Sequence, residues 1–323
     1  MSLDVIFSPI KRELKVFDAR LKRSLDSDSP LIYQVANHIL ERKGKRLRPA
    51  LVYLSAKANG GKSEKLTQAA LAIELLHTAT LLHDDVVDQS QTRRGQRTVN
   101  LRWGNLVSVL MGDYLFAKAF KIMMATGSFP LLQAISQATE RVSLGELLQV
   151  QACFNYGLDE KSYLDIISEK TASLFSVSCE SGVILSNDNY DHKKNLKSYG
   201  ENFGIAFQIT DDLLDLIGKK EKTGKELGND LKEGKITLPL IHAFKRSSQK
   251  AKKEVIRLIE NDFDNDGFFK ILNFVQNQGG VDYAKCKAKK FGQRALDFIS
   301  DLKGSEYKDS LGELVDFMVN RDK

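Results

Sequence analysis

Residues 66–88 read LTQAALAIELLHTATLLHDDVVD, and the order of residue types in that stretch decides the fold. The apolar Leu66, Ala69, Ala70, Ile73 and Leu76, with Thr80 beyond them, recur at spacings of three and four. That is the period of an α-helix, not the alternation of a strand. In both directions from this stretch nearly every segment repeats the pattern, and runs of β-branched residues alternating with polar ones are missing. Proline occurs only at Pro9, Pro30, Pro49, Pro130 and Pro239. The chain is predicted to be all-α. Breaks are expected at 26–30, 59–63, 90–96, 127–130, 156–160, 186–191, 218–234 and 277–280, where turn-forming residues cluster.

None of these breaks has the composition of an interdomain linker. At ~150 residues per domain the 323 residues would make about two domains, yet a large helical fold accommodates them all, so residues 1–323 are expected to form a single domain. Hydrophobic residues at 42% and charged ones at 28% exclude a disordered or collagen-like chain. The net charge of +6 is spread among interspersed acids and bases, as over 250–260, which reads as a solvated helix face and argues against nucleic acid as a partner. Asp4 and Pro9 interrupt the first residues, and no uncharged run reaches the ~18 residues of a membrane span, so a cytoplasmic protein without stable membrane insertion is expected. Cys153, Cys179 and Cys286 lack the spacing of a disulfide framework or a zinc site and are expected to be buried and reduced. The 218–235 stretch, with four Gly, six Lys and four acidic residues, reads as a mobile functional flap.

The chemistry rests on two stretches that resemble each other, ATLLHDDVVD at 79–88 and AFQITDDLLD at 206–215. On a helix Asp84 and Asp88 point the same way, ~40° apart around the axis and ~6 Å along it, with Asp85 beside them. Asp211, Asp212 and Asp215 repeat the arrangement. Aligned carboxylates repel, and here they sit among Leu81, Leu82, Val86, Val87, Leu213, Leu214 and Leu216, so a cation must offset them. Carboxylates without neighbouring Cys and without EF-hand spacing favour Mg²⁺, which takes few protein ligands and bridges to phosphate. Six aspartates on two facing helices therefore imply a diphosphate between them. Lys45, Arg46 and Arg48, in a turn opening a helix at Pro49, and the pair Arg93 and Arg94 suggest two separate diphosphate sites. His77 lies seven residues before Asp84, on the same helical face.

With these residues, the chain resembles the trans-isoprenyl diphosphate synthases over nearly its whole length. The resemblance rests on Gly44-Lys-Arg-Leu-Arg-Pro49, Leu82-His-Asp-Asp-Val-Val-Asp88 with Arg93-Arg94-Gly95, Gly112-Asp-Tyr114, Gly145-Glu146 with Gln149, Lys170-Thr171, Phe207-Gln208 with Asp211 to Asp215, and Gly234-Lys235 before Leu238-Pro239. Among members of the family it is most similar to the bacterial octaprenyl diphosphate synthases. The resemblance implies an all-α helical bundle around a deep central cavity, normally a homodimer. It implies that Lys45, Arg48, His77 and Arg94 hold isopentenyl diphosphate, and that Arg93, Lys170, Thr171, Gln208 and Lys235 meet the allylic diphosphate or its reacting end. Asp84, Asp88 and Asp211 would be the principal Mg²⁺ ligands, with Asp85, Asp212 and Asp215 as ligands or their supports. Thr210 and Asn229 depart from the commoner family residues without removing a motif.

The implied reaction ionises the allylic diphosphate, and the double bond of isopentenyl diphosphate then attacks the cation, so no protein nucleophile is required. Product would be octaprenyl diphosphate for quinone side chains, with farnesyl diphosphate as primer and transient membrane contact for release left open. A shorter-chain synthase, a class I terpene cyclase and a non-catalytic subunit of a heteromeric synthase are the alternatives. Thr80 lies one helical turn before Asp84 and should line the cavity beneath it. The resemblance adds Ala79 as a second chain-length position. Both are small, so the product is expected to grow past them and stop near Met123 or Ile135.

Overall fold

The computed structural model describes residues 2–41, 44–93, 95–186, 189–218, 227–261 and 263–321. It is helical almost throughout and divides into two compact units. One comprises Met1–Thr139, Leu174–Gly200 and Phe298–Leu314, and the other Glu140–Ser173, Glu201–Asp297 and Val315–Lys323. The expected breaks lie at or between helix ends, except that 218–234 contains the short helix Asn229–Lys232, and residues 219–226 of the expected flap lie outside the described residues.

The first unit is built on α5 (Leu66–Val87), whose residues Ala69 to Leu76 are buried in unbroken succession. A helix that is apolar all round belongs inside, surrounded by others. α7 (Asn105–Ala125) packs most extensively against it, and α2 (Lys11–Ser24) and α4 (Leu47–Ala58) cover further faces. α10 (Ser173–Ile184) meets α4 backbone to backbone, since a Cβ on Gly182 would stand 2.6 Å from the Val52 carbonyl oxygen. α4 begins two residues before Pro49, and proline is tolerated there because first-turn N–H groups have no intrahelical acceptor. The sequence shows no strand, yet Thr92–Arg93 and Gln96–Arg97 pair as a two-stranded antiparallel ladder, β1 and β2. Two residues per strand are too few to leave an alternating pattern.

The second unit takes the rest of α8 (Phe129–Ala152), then α9 (Glu160–Ile167), a π-helical turn at Ser168–Ala172, and most of α11 (Tyr190–Ile217). α12 (Asn229–Lys232), α13 (Leu238–Arg246), α14 (Gln249–Asn261), α15 (Asn265–Asn277), α16 (Gly280–Phe298) and the end of α17 (Glu306–Val319) complete it. Its core joins Tyr163, Ile209 and Leu213 to Leu238, Ile271 and Phe291. Among the described residues no helix is long and apolar enough to cross a membrane. Of the cysteines only Cys179 is buried, where loss of solvent pushes its thiol up to about 12, whereas Cys286 is exposed and Cys153 half-buried. Cys286 therefore departs from the buried placement expected of all three.

Candidate active site

In the first unit Asp84 and Asp85 occupy the last turn of α5, and the Asp88 N–H donates to the Asp84 carbonyl at 2.8 Å, carrying the helical direction through the cluster. Asp84 and Asp88 are half-buried, but Asp85 is 3% exposed. The β1–β2 hairpin turns the chain back so that Arg93 Nε donates to Asp85 Oδ1 at 2.8 Å. Asp85, expected as a ligand or a support of the ligands, is thus the member of its cluster whose carboxylate is anchored by protein. Arg93, expected at the allylic diphosphate, is its anchor. Arg94 lies outside the described residues.

A cavity of about 110 Å³ in this unit is walled by His77, Asp85, Arg93 and Arg46, over a floor that includes Leu21 and Leu75. Arg46 is separated from the expected phosphate-binding set. Its guanidinium donates to Asp18 at 3.1 Å and to Glu74 at 2.8 Å, beneath a backbone at φ 55°. A non-glycine residue at positive φ costs energy and persists only where its surroundings hold it. The two carboxylates pin Arg46 in that bend, between an exposed Lys45 and a half-buried Arg48. Arg48 lies over the Phe175 ring, 4.3 Å from its centroid. Of the chain-length residues, Ala79, Met123 and Ile135 are buried, and the Thr80 hydroxyl donates to the His77 carbonyl at 2.9 Å.

In the second unit Asp212 is the buried member of its cluster. Its Oδ2 accepts from the Tyr163 hydroxyl at 2.6 Å and its Oδ1 from Gln208 Nε2 at 2.7 Å, while Gln208 Oε1 accepts from the Thr171 hydroxyl at 2.8 Å. Burial pushes the Asp212 carboxyl up to about 7, against the two hydrogen bonds that favour its charged form. Asp211 is half exposed and accepts from Arg321 Nη2 at 2.9 Å, and Arg321 itself is buried to 3% exposure over the Phe207 ring. The Asp215 carboxylate accepts from the Asp230 N–H at 3.1 Å, and its carbonyl from the Gly228 N–H at 3.0 Å.

Lys170 and Thr171 stand in the π turn, where Lys170 Nζ donates to Glu146 Oε2 at 2.7 Å. Single π turns within α-helical runs are frequent at functional sites. Lys235 follows α12 and pairs with Glu233. Sequence reasoning quoted Glu146 as a motif residue without its Lys170 partner, and it missed Tyr163, Arg321 and the part played by Asp230, whose carboxyl is pushed well above the usual carboxylate range by burial and by the charges of Asp215 and Asp212. Only Asp230 left a signal, as an acid beside the lysines of the 218–235 stretch.

The donor set at both clusters is carboxylate oxygen. Among the described residues no group of three or more His, Cys, Asp or Glu closes into a metal cage. A Mg²⁺ ion asks for none, because it binds through one or two carboxylates and completes its shell with phosphate and water. Asp84 with Asp88, and Asp211 with Asp215, fit that requirement.

Residues 29–273 match the family model described as polyprenyl synthetase. Octaprenyl diphosphate synthase of Haemophilus influenzae is 35% identical over 322 residues, covering 100% of this chain and 98% of the relative. The all-trans-nonaprenyl-diphosphate synthase (geranyl-diphosphate specific) of Rhodobacter capsulatus is 37% identical over 98% of this chain and 97% of its own. Among solved structures, a Caulobacter crescentus polyprenyl synthase in complex with calcium and isoprenyl diphosphate superposes with a TM-score of 0.95 at 34% identity, covering 100% of this chain and 98% of that one. Matches of this extent and identity show that the chain belongs to the polyprenyl synthetase family.

Proposed function

We propose that this trans-prenyltransferase condenses isopentenyl diphosphate head-to-tail with an allylic diphosphate, farnesyl diphosphate by preference, to make octaprenyl diphosphate for quinone side chains, as a cytoplasmic, Mg²⁺-dependent homodimer. The observation that carries the reading is the pair of aspartate clusters, each with its middle acid buried and anchored and its outer acids nearer solvent. Bound Mg²⁺ would supply positive charge against the departing diphosphate. Lys170 and Lys235 hold the allylic diphosphate, and Lys45, Arg48, His77 and Arg94 hold isopentenyl diphosphate. These cations stabilise charge that develops as the carbon–oxygen bond breaks, and the released diphosphate takes the proton lost after coupling. The family match at 29–273 draws on both units, which supports one catalytic domain. An exposed apolar stripe on α7, formed by Leu106, Leu110, Phe120 and Met124, all within ~40° of the Leu106 direction, supports the homodimer.

Product analysis from radiolabelled isopentenyl diphosphate and farnesyl diphosphate tests the reading. Elongation to octaprenyl length supports it, whereas a cyclic product or no incorporation by the purified chain defeats it. Ala79→Tyr and Thr80→Phe should shorten the product towards farnesyl or geranylgeranyl diphosphate while the first condensations persist. Ala79 is fully buried, so its Tyr variant carries an overpacking cost of about 1–3 kcal/mol. Thr80 is half-buried, which makes its variant the cleaner test. Wild-type product lengths from both folded variants would remove these positions from length control.

A further inference from the structure

Arg141, on the part of α8 within the second unit, has no place in the proposed reaction. Its guanidinium nevertheless makes five hydrogen bonds to three residues. Nε donates to Glu169 Oε2 at 2.8 Å, Nη1 to Glu201 Oε2 at 3.1 Å, and Nη2 to Glu201 Oε1 at 2.7 Å, to Ser168 Oγ at 3.1 Å and to the Ser168 carbonyl at 3.3 Å. Ser168 Oγ closes the ring by donating to Glu201 Oε1 at 2.6 Å. Arg141, Glu169 and Glu201 are 29%, 24% and 24% exposed, so this is a partly buried network. It can hold more firmly than a surface ion pair does.

Ser168 and Glu169 are the first two residues of the π turn that carries Lys170 and Thr171, and Glu201 lies on α11 ten residues before Asp211. One helical turn along α8 from Arg141, a Cβ on Gly145 would stand 2.3 Å from the Lys170 nitrogen, so the α8 backbone lies directly on the turn. A π turn is a local departure from the regular helix, and such departures persist only when the surroundings over-determine them. If the extra residue annealed into α-helix, Lys170 and Thr171 would swing ~100° around the axis. We propose that Arg141 is a positioning residue, whose clamp on Ser168, Glu169 and Glu201 fixes the π turn so that Lys170 and Thr171 are presented to the allylic diphosphate. The planar fork of arginine serves two carboxylates and a hydroxyl at once, and lysine, a point donor, does not.

The presentation of substrate rests on the proposed reaction, but the hold on the turn does not, and the two are measured apart. In the full-length, substrate-free protein, Arg141→Met should exchange the backbone amides of 168–172 at least tenfold faster than wild type. Its KM for the allylic diphosphate should rise about tenfold, with the KM for isopentenyl diphosphate within twofold, measured well below the unfolding temperature. Arg141→Lys should keep the defect, since it restores charge without the fork, and Arg141→Gln replaces the Met variant should that one not fold. A lower unfolding temperature with wild-type exchange in the turn and wild-type KM values would reduce Arg141 to a packing residue and overturn the proposal. Faster exchange in a protein whose wild type elongates nothing would uphold the clamp and defeat the proposed reaction instead.

Discussion

The two aspartate clusters share the pattern Asp-Asp-x-x-Asp on apolar helices, yet they are held by opposite kinds of partner. Asp85 is anchored by a cation, Arg93, whereas Asp212 is anchored by the neutral donors of Tyr163 and Gln208. Cations enter the second cluster at its edge instead, where the buried Arg321 takes the half-exposed Asp211. Identical carboxylate patterns therefore sit in different electrostatic settings. A buried carboxylate beside a guanidinium keeps its charge compensated, while one held by hydroxyl and amide alone pays more of its desolvation and rises in pKa.

The largest effects should come from the outer acids. Asp84→Ala and Asp211→Ala are each expected to lower kcat by about 10³-fold or more, on the scale of lost transition-state charge stabilisation. Stability should separate them. Losing Asp84, a half-buried acid beside Asp85 and Asp88, also relieves like-charge repulsion and should lower the unfolding temperature of the metal-free protein less than losing Asp211 does. Losing Asp211 strips a buried guanidinium of its carboxylate, and the unfolding temperature should fall. Calorimetry in chelator checks this, and equal unfolding temperatures for the two variants would break the distinction.

How much of this was legible follows from sequence distance. Helices such as α5 were plain from their 3.6-residue period, and the six aspartates from their repeated spacing. Arg93 lies eight residues from Asp85 and was visible as part of a basic pair, though not as its anchor. Tyr163 and Arg321 meet their partners across 49 and 110 residues, a separation at which no local pattern survives. The π turn was illegible for another reason. It adds one residue to a helix whose composition is ordinary, and the contacts that hold it open come from Arg141 and Glu201. Arg46 shows the reverse error, since a cation within a basic run reads as a phosphate ligand until Asp18 and Glu74 are seen to claim it.

A second contrast lies between the cations assigned to the two substrates. Lys45→Ala should raise the KM for isopentenyl diphosphate and Lys235→Ala the KM for the allylic diphosphate, each by about ten- to a hundredfold, the ~1.5–3 kcal/mol of one charge-assisted contact. Steady-state kinetics with each substrate varied in turn checks this. Equal effects of either variant on both KM values would merge the two sites.

The smallest effect, and the sharpest on the opening comparison, concerns the anchors themselves in the metal-free protein. Arg93→Met takes the Arg93 guanidinium away from Asp85, whose side chain is 4% exposed. Breaking a fully buried pair costs ~3–5 kcal/mol, but the Arg93 side chain is 32% exposed and water shares the load, so about 2 kcal/mol is expected at pH 7. Tyr163→Phe removes one hydrogen bond to Asp212, worth ~1 kcal/mol, and the loss is softened because a carboxyl raised to about 7 can take up a proton. The sign of the pH dependence follows. Asp212 has a folded pKa above its unfolded value of 3.8, so its contribution to stability is complete below that value and is lost as pH rises through about 7. The Tyr163 hydroxyl lowers the folded pKa, so removing it extends the loss upward, and the deficit of Tyr163→Phe should widen between pH 7 and 9. Urea unfolding of both variants at the two pH values, in chelator, reads the difference. A Tyr163→Phe deficit that stays constant from pH 7 to 9 would mean that Asp212 is already ionised at neutral pH, and the two clusters would then differ in the identity of their partners but not in charge.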